Sequence, residues 1–136
     1  MSIDDCRTLE FPKRVDSRGS LSFVEGGVHA PFDIRRIFYL YDLAPGEARG
    51  GHAHVALEQL FIPIAGTFVV TLDDGARTRK CKLDTPSKGL YVAPMTWAVL
   101  EDFSAGAVCL VLASARYDEA DYHRDYDRFV KAARRA

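Results

Sequence analysis

The chain has 136 residues, of which 48% are hydrophobic and 27% charged, with a formal net charge of −1. That length suffices to bury a hydrophobic core without disulfides or structural metals. The balance of charge excludes both disorder and a broad electrostatic attraction to nucleic acid, so any anionic partner must be gripped locally.

Residues 1–10 carry Asp4, Asp5, Arg7 and Glu10 and no apolar run, so no signal peptide is expected. The longest apolar stretch, 107–113, is too short to cross a bilayer, and cytoplasmic residence with no membrane partner is the expectation. Short strands separated by turn residues are predicted over 21–25, 34–43, 59–65, 67–72, 77–83, 89–93, 96–100 and 107–115. This is the pattern of an all-β sandwich or barrel rather than of a parallel α/β sheet. Within 34–43, alternation places Arg36, Phe38, Leu40 and Asp42 on one face and Arg35, Ile37, Tyr39 and Tyr41 on the other, so only one of the paired arginines faces inward. Pro63 removes a ladder donor, which predicts an edge, a bulge or a strand break in its segment. Asp73-Asp74-Gly75 supplies a hairpin turn between 67–72 and 77–83. Tyr122, Tyr126, Phe129, Val130 and Ala133 draw one apolar stripe on a predicted helix of roughly 119–135. No internal repeat or linker interrupts the chain, and one domain over 1–136 is expected.

The most informative stretch is Arg49-Gly50-Gly51-His52-Ala53-His54, followed by Gln59 and Gly66. Its spacing is close to the first motif of the cupins, which are double-stranded β-helices, or jelly-roll barrels. On an extended segment, side chains two residues apart share a face, so His52 and His54 would enter a barrel together about 6–7 Å apart. A metal cupin adds a carboxylate and a third histidine to such a pair. Here Gln59 stands at the carboxylate position, Glu58 faces the other side, and Pro94-Met95-Thr96-Trp97-Ala98-Val99 contains no histidine. Two imidazoles and an amide make a poor divalent site, so neither a metal nor another cofactor is expected. Cys6, Cys81 and Cys109 form no C-x-x-C pair and read as reduced thiols.

Without a metal, two histidines on one face are equipment for proton transfer, because their ordinary pKa of about 6.5 suits both directions near neutrality. Arginine forks grip phosphates by paired charged hydrogen bonds, which makes Arg18, Arg36 and Arg49 the candidate substrate-binding residues, with Trp97 a candidate stacking surface. Tyr39 or Arg49 is a candidate for holding a developing oxyanion. His29 and His123 read as solvated bystanders, the latter on the polar side of the terminal helix.

Eight dispersed blocks in one order resemble the dTDP-sugar 3,4-ketoisomerases, the WxcM-like group. They are Asp16-Ser17-Arg18-Gly19-Ser20-Leu21, Ile34-Arg35-Arg36-Ile37-Phe38-Tyr39, Arg49-Gly50-Gly51-His52-Ala53-His54, Leu57-Glu58-Gln59, Leu72-Asp73-Asp74-Gly75, Gly89-Leu90-Tyr91-Val92, Pro94-Met95-Thr96-Trp97 and Val111-Leu112-Ala113-Ser114. The match runs from about Phe11 to Phe129 and includes Tyr117-Asp118-Glu119-Ala120-Asp121-Tyr122. The resemblance implies a cupin fold with a C-terminal helix, a homodimer with exchanged strands, a dTDP-4-keto-6-deoxy-glucose substrate, and His52 and His54 in the active site. Gly51 stands where the resemblance implies a bulky aromatic, and Val55 where it implies a lysine. The implied reaction moves the ketone from C4 to C3 through an enediol, with His52 as base, His54 as shuttle and Tyr39 assisting. Three rival readings remain open at this point: an epimerase on the same 4-keto sugar, a non-catalytic cupin that binds a sugar nucleotide, and a metal-dependent oxygenase or isomerase.

Overall fold

The computed structural model describes residues 2–135. A short helix α1 (Ser2–Asp5) precedes β1 (Arg7–Glu10), β2 (Lys13–Asp16), β3 (Gly19–Ser22), β4 (Arg36–Leu40), β5 (Arg49–His54) and β6 (Gln59–Ala65). They are followed by β7 (Phe68–Asp73), β8 (Thr78–Leu83), β9 (Lys88–Val92), β10 (Trp97–Glu101), β11 (Val108–Ala113), β12 (Tyr122–His123) and the helix α2 (Tyr126–Arg135). Two antiparallel five-stranded sheets result, in the orders β1–β9–β6–β11–β4 and β12–β5–β10–β7–β8, while β2 and β3 form a separate hairpin. The two sheets bury one shared core: Phe61, Leu90 and Val111 come from the first, and Phe68, Val70, Leu72, Ala98 and Leu100 from the second. This is the mostly-β barrel with a C-terminal helix that the patterning predicts.

Local chemistry explains the elements that matter for the site. In the β7–β8 hairpin, Asp73 Oδ1 accepts from Gly75 N at 2.7 Å, and Asp74 Oδ1 accepts from Ala76 N and Arg77 N at 3.0 and 2.9 Å. Gly75 takes φ +90°, which an L side chain rarely adopts. Pro63 does not put β6 at an edge, because β6 is the middle strand of its sheet. It sits at an irregularity instead: β9 pairs with β6 only over Gln59–Phe61, and the β11 register shifts between Val108 and Cys109, opposite Ala65 and Pro63. The missing N–H therefore costs no ladder bond on the β9 side.

The C-terminal segment departs from the expected helix. Residues 119–121 form one 3-10 turn, capped by the Asp118 carboxylate on Ala120 N, and Tyr122 and His123 then pair with His54 and Ala53 of β5. The α-helix starts only at Tyr126, where Asp125 Oδ1 accepts from Arg128 N at 3.0 Å as a side-chain cap. Phe129, fully buried, packs against Trp97, Tyr126 and His123, which fixes α2 on the outer side of the second sheet. His123 thus lies on a strand against Phe129 rather than on the polar side of a helix.

Candidate active site

The site begins with a bulge. Gly50 and Gly51 sit at φ +88° and +77°, and the β5–β10 register shifts there, with His52 opposite Ala98 but Gly50 opposite Val99. A Cβ on Gly50 would lie 2.8 Å from the Ala98 carbonyl oxygen, so strand β10 approaches too closely for any side chain. Beyond the bulge the chain is extended, and His52 and His54 share the inner face as two-residue spacing requires. Their rings meet edge to face with centroids 5.1 Å apart.

The Tyr122 ring closes over both, 5.0 Å from His52 and 4.2 Å from His54. Because β12 pairs with β5, Tyr122 lies opposite His54, and the His54 carbonyl accepts from Met95 N at 2.7 Å. His54 is 4% exposed, and its Nδ1 stands 3.2 Å from Asp121 Oδ2. Each histidine lines a cavity. His52 faces one of about 190 Å3 with Arg49, Gln59, Phe38, Phe61 and Ala98 on its walls. His54 faces another of about 200 Å3 with Arg36, Ser114, Asp121 and Tyr122.

Burial depresses both imidazoles below the ordinary histidine value. For His54 burial acts first and the neighbouring His52 adds to it, against the pull of Asp121, leaving the pKa at about 4. For His52 the order is burial, then the Arg124 charge, with the Gly50 backbone pulling the other way. Both rings are therefore neutral at pH 7 and able to accept a proton. Beside the pair, Glu119 is held at about 2, chiefly by the Arg124 guanidinium, whose Nε donates to its carboxylate at 2.6 Å.

Of the residues singled out from sequence, the structure brings together His52, His54, Arg36, Arg49 and Gln59, and it adds Asp121 and Tyr122. Arg36 points inward from β4, its guanidinium 5.1 Å from the Phe38 ring and 5.6 Å from that of Tyr117, and its Nε is buried without a partner. Three residues lie elsewhere in the chain. Tyr39, three positions from Arg36 on an alternating strand, faces outward and is 60% exposed. Trp97 faces outward from β10 beneath α2, against Phe129 and Tyr126, while its neighbour Ala98 takes the inner face. Arg18 sits at the tip of the β2–β3 hairpin, with its side chain 89% exposed and paired to Asp16 Oδ2 at 2.7 Å. Among the described residues no three His, Cys, Asp or Glu side chains converge as metal ligands. Gln59 occupies the cavity wall, whereas Glu58 points away and accepts from Tyr91 Oη at 2.6 Å.

Asp121 and Tyr122 escape sequence reasoning because the apolar spacing assigns Tyr122 to a helix. The usable signal was Asp118, a side-chain cap that starts a turn well before Asp125 starts the helix.

Comparison with known proteins identifies the family and the fold. The model of the family described as FdtA: WxcM-like, C-terminal, matches residues 4–134. A TDP-4-oxo-6-deoxy-alpha-D-glucose-3,4-oxoisomerase from Aneurinibacillus thermoaerophilus is 46% identical over 125 residues, which is 92% of this chain and 90% of that protein. The sugar 3,4-ketoisomerase QdtA from Thermoanaerobacterium thermosaccharolyticum, in complex with TDP, superposes with a TM-score of 0.94 at 36% identity, over 96% of this chain and 95% of its own. A point mutant of QdtA that superposes equally well, with 35% identity over 96% of this chain and 94% of its own, holds TDP-4-keto-6-deoxyglucose. The 3'-monoepimerase ChmJ from Streptomyces bikiniensis shares the fold alone, at 16% identity and a TM-score of 0.79 over 90% of this chain and 70% of its own.

Proposed function

The chain belongs to the WxcM-like family of the FdtA type, and from that premise we propose that His52 and His54 are the proton-transfer pair of its reaction. The chain is a TDP-sugar 3,4-ketoisomerase of cupin fold, and it moves the ketone of TDP-4-keto-6-deoxy-glucose from C4 to C3. The observation that carries the site assignment is the pair of neutral imidazoles, 5.1 Å apart on one inner wall.

The hydrogen on C3 is acidified by the adjacent C4 ketone. His52, the imidazole on the Arg49–Gln59 cavity, removes it, and the electron pair moves to give an enediolate on O4. O4 takes a proton, O3 gives one up, and a proton returns to C4, so the ketone forms at C3 and the hydroxyl at C4. No electrons leave the sugar, so the reaction is redox-neutral overall. His54 shuttles the hydroxyl proton from O3 to O4. Adjacent carbons and paired rings let the two roles divide without large motion. Arg49 and Arg36, on the walls of the two cavities, are the donors placed to hold the oxyanion and the diphosphate. One such donor is worth about 3 kcal/mol to the transition state. The outward direction of Tyr39 removes it from this role within its own chain.

We propose further that the enzyme is a homodimer with exchanged strands. The β2–β3 hairpin pairs with neither barrel sheet and carries exposed Val15 and Leu21, and the outer face of β4 leaves Ile37 and Tyr39 bare. A second copy would cover both and bring Arg18 of that hairpin to a neighbouring site.

The test is conversion of TDP-4-keto-6-deoxy-glucose by wild type, His52→Asn and His54→Asn, with substrate binding measured alongside. Binding is expected to survive in both variants, while turnover falls by about 100-fold or more. Full turnover by either variant would overturn the assignment of that histidine.

A further inference from the structure

Asp121 sits 67 residues from His54 in sequence, yet three polar contacts hold its carboxylate against the end of β5. Oδ2 lies 3.2 Å from His54 Nδ1 and accepts from Leu57 N at 3.2 Å, and Oδ1 accepts from Ala56 N at 2.9 Å. The Asp121 carbonyl also accepts from Val55 N at 2.8 Å. Each Asp121 oxygen accepts a backbone N–H, so the carboxylate meets the His54 ring as an acceptor. The proton between Asp121 and His54 therefore belongs to Nδ1.

We propose that Asp121 is a positioning residue for the ketoisomerase reaction: it fixes His54 as the Nδ1–H tautomer, leaving the Nε2 lone pair as the nitrogen that handles the sugar's hydroxyl proton. The proposal rests on the reading of His54 as the shuttle. Among the described residues no other side chain hydrogen-bonds the His54 ring; Asp118, on the wall of the same cavity with Arg116, accepts from Ala120 N instead. His52 on the same strand is neutral, Arg36 from β4 is a donor, and Tyr122 from β12 packs against the ring at a tilt of 58°. With the tilted Tyr122 ring packed 4.2 Å away and Asp121 taking Nδ1, the ring has one orientation and one tautomer. During turnover Nε2 takes the O3 proton, His54 becomes an imidazolium beside a fixed negative charge, and the same proton passes to O4. Asp121 accepts the Nδ1–H bond throughout.

The tautomer is read directly from long-range 1H–15N NMR on protein labelled with 15N-histidine, with His52 as the internal reference. Wild-type His54 is expected as Nδ1–H alone, and a wild-type Nε2–H signal would overturn the proposal with no variant needed. In Asp121→Ala the Nε2–H form is expected to appear, and kcat to fall about 100-fold with KM changed less than about threefold. A loss confined to KM, or a retained tautomer with retained kcat, would also overturn it. Should His54→Asn keep full turnover while wild-type His54 is purely Nδ1–H, the shuttle reading fails and the tautomer lock stands.

Discussion

At the scale of single residues, the chemistry depends on two bases kept neutral by burial rather than by a partner. His54 illustrates the balance: Asp121 attracts the proton, yet burial and His52 outweigh it and leave the pKa at about 4. The neutral form carries the function and is present above the pKa. The acid limb of kcat/KM is therefore expected well below 6.5, the value for an ordinary histidine, and a pH-rate profile checks it. In Asp121→Asn that limb is expected to move lower still, because the attraction is lost. The same depression acts on stability. Between about 6.5 and 4 the unfolded chain holds more protons at this position than the folded one, so stability falls as pH drops through that window. Denaturation midpoints at pH 7 and pH 5 are expected to show the decrease, and His54→Asn to reduce it.

At the scale of elements, β5 and its bulge decide whether the histidines meet the sugar. Gly50→Ala forces a Cβ to within 2.8 Å of the Ala98 oxygen at a positive φ, so β5 must separate from β10. Turnover is expected to fall at least tenfold with a lowered melting temperature, whereas Gly51→Ala, with open space around its Cβ, carries only the backbone strain of φ +77°. Paired thermal melts and rate assays separate the two. Much of this region was legible beforehand. Two-residue spacing put His52 and His54 on one face, and alternation correctly grouped Arg36 with Phe38 and Leu40. That same alternation assigns Tyr39 to the opposite face, so placing both Arg36 and Tyr39 in one site conflicted with the geometry of a strand. Trp97 shows the parallel case, since Ala98 and Leu100 hold the inner positions of β10. Tyr122 could not be read from periodicity, because its partner is His54, 68 positions earlier, and pairing at that separation leaves no local pattern.

At the scale of the molecule, the first sheet is apolar on both sides. Phe61 and Val111 line the His52 cavity, while Ile62, Ile64 and Leu110 line an outer groove of about 320 Å3 with Phe11 and Phe23 from the N-terminal segment. The continuous apolar run at 107–113 reflects that double duty. Bare Ile37, Tyr39 and Ile64 extend the outer face, which is the surface a second copy would bury. Light scattering is expected to give twice the chain mass for wild type, and Ile37→Glu to shift it toward the single chain; a monomeric wild type would remove the dimer. Every larger reading turns on the reaction itself. Incubation of the enzyme with TDP-4-keto-6-deoxy-glucose in D2O, followed by 13C and 1H NMR, tests it most directly. The expected product has its ketone at C3 and solvent deuterium at C4. A product still ketonic at C4 with C3 inverted, or an unchanged substrate, would contradict it.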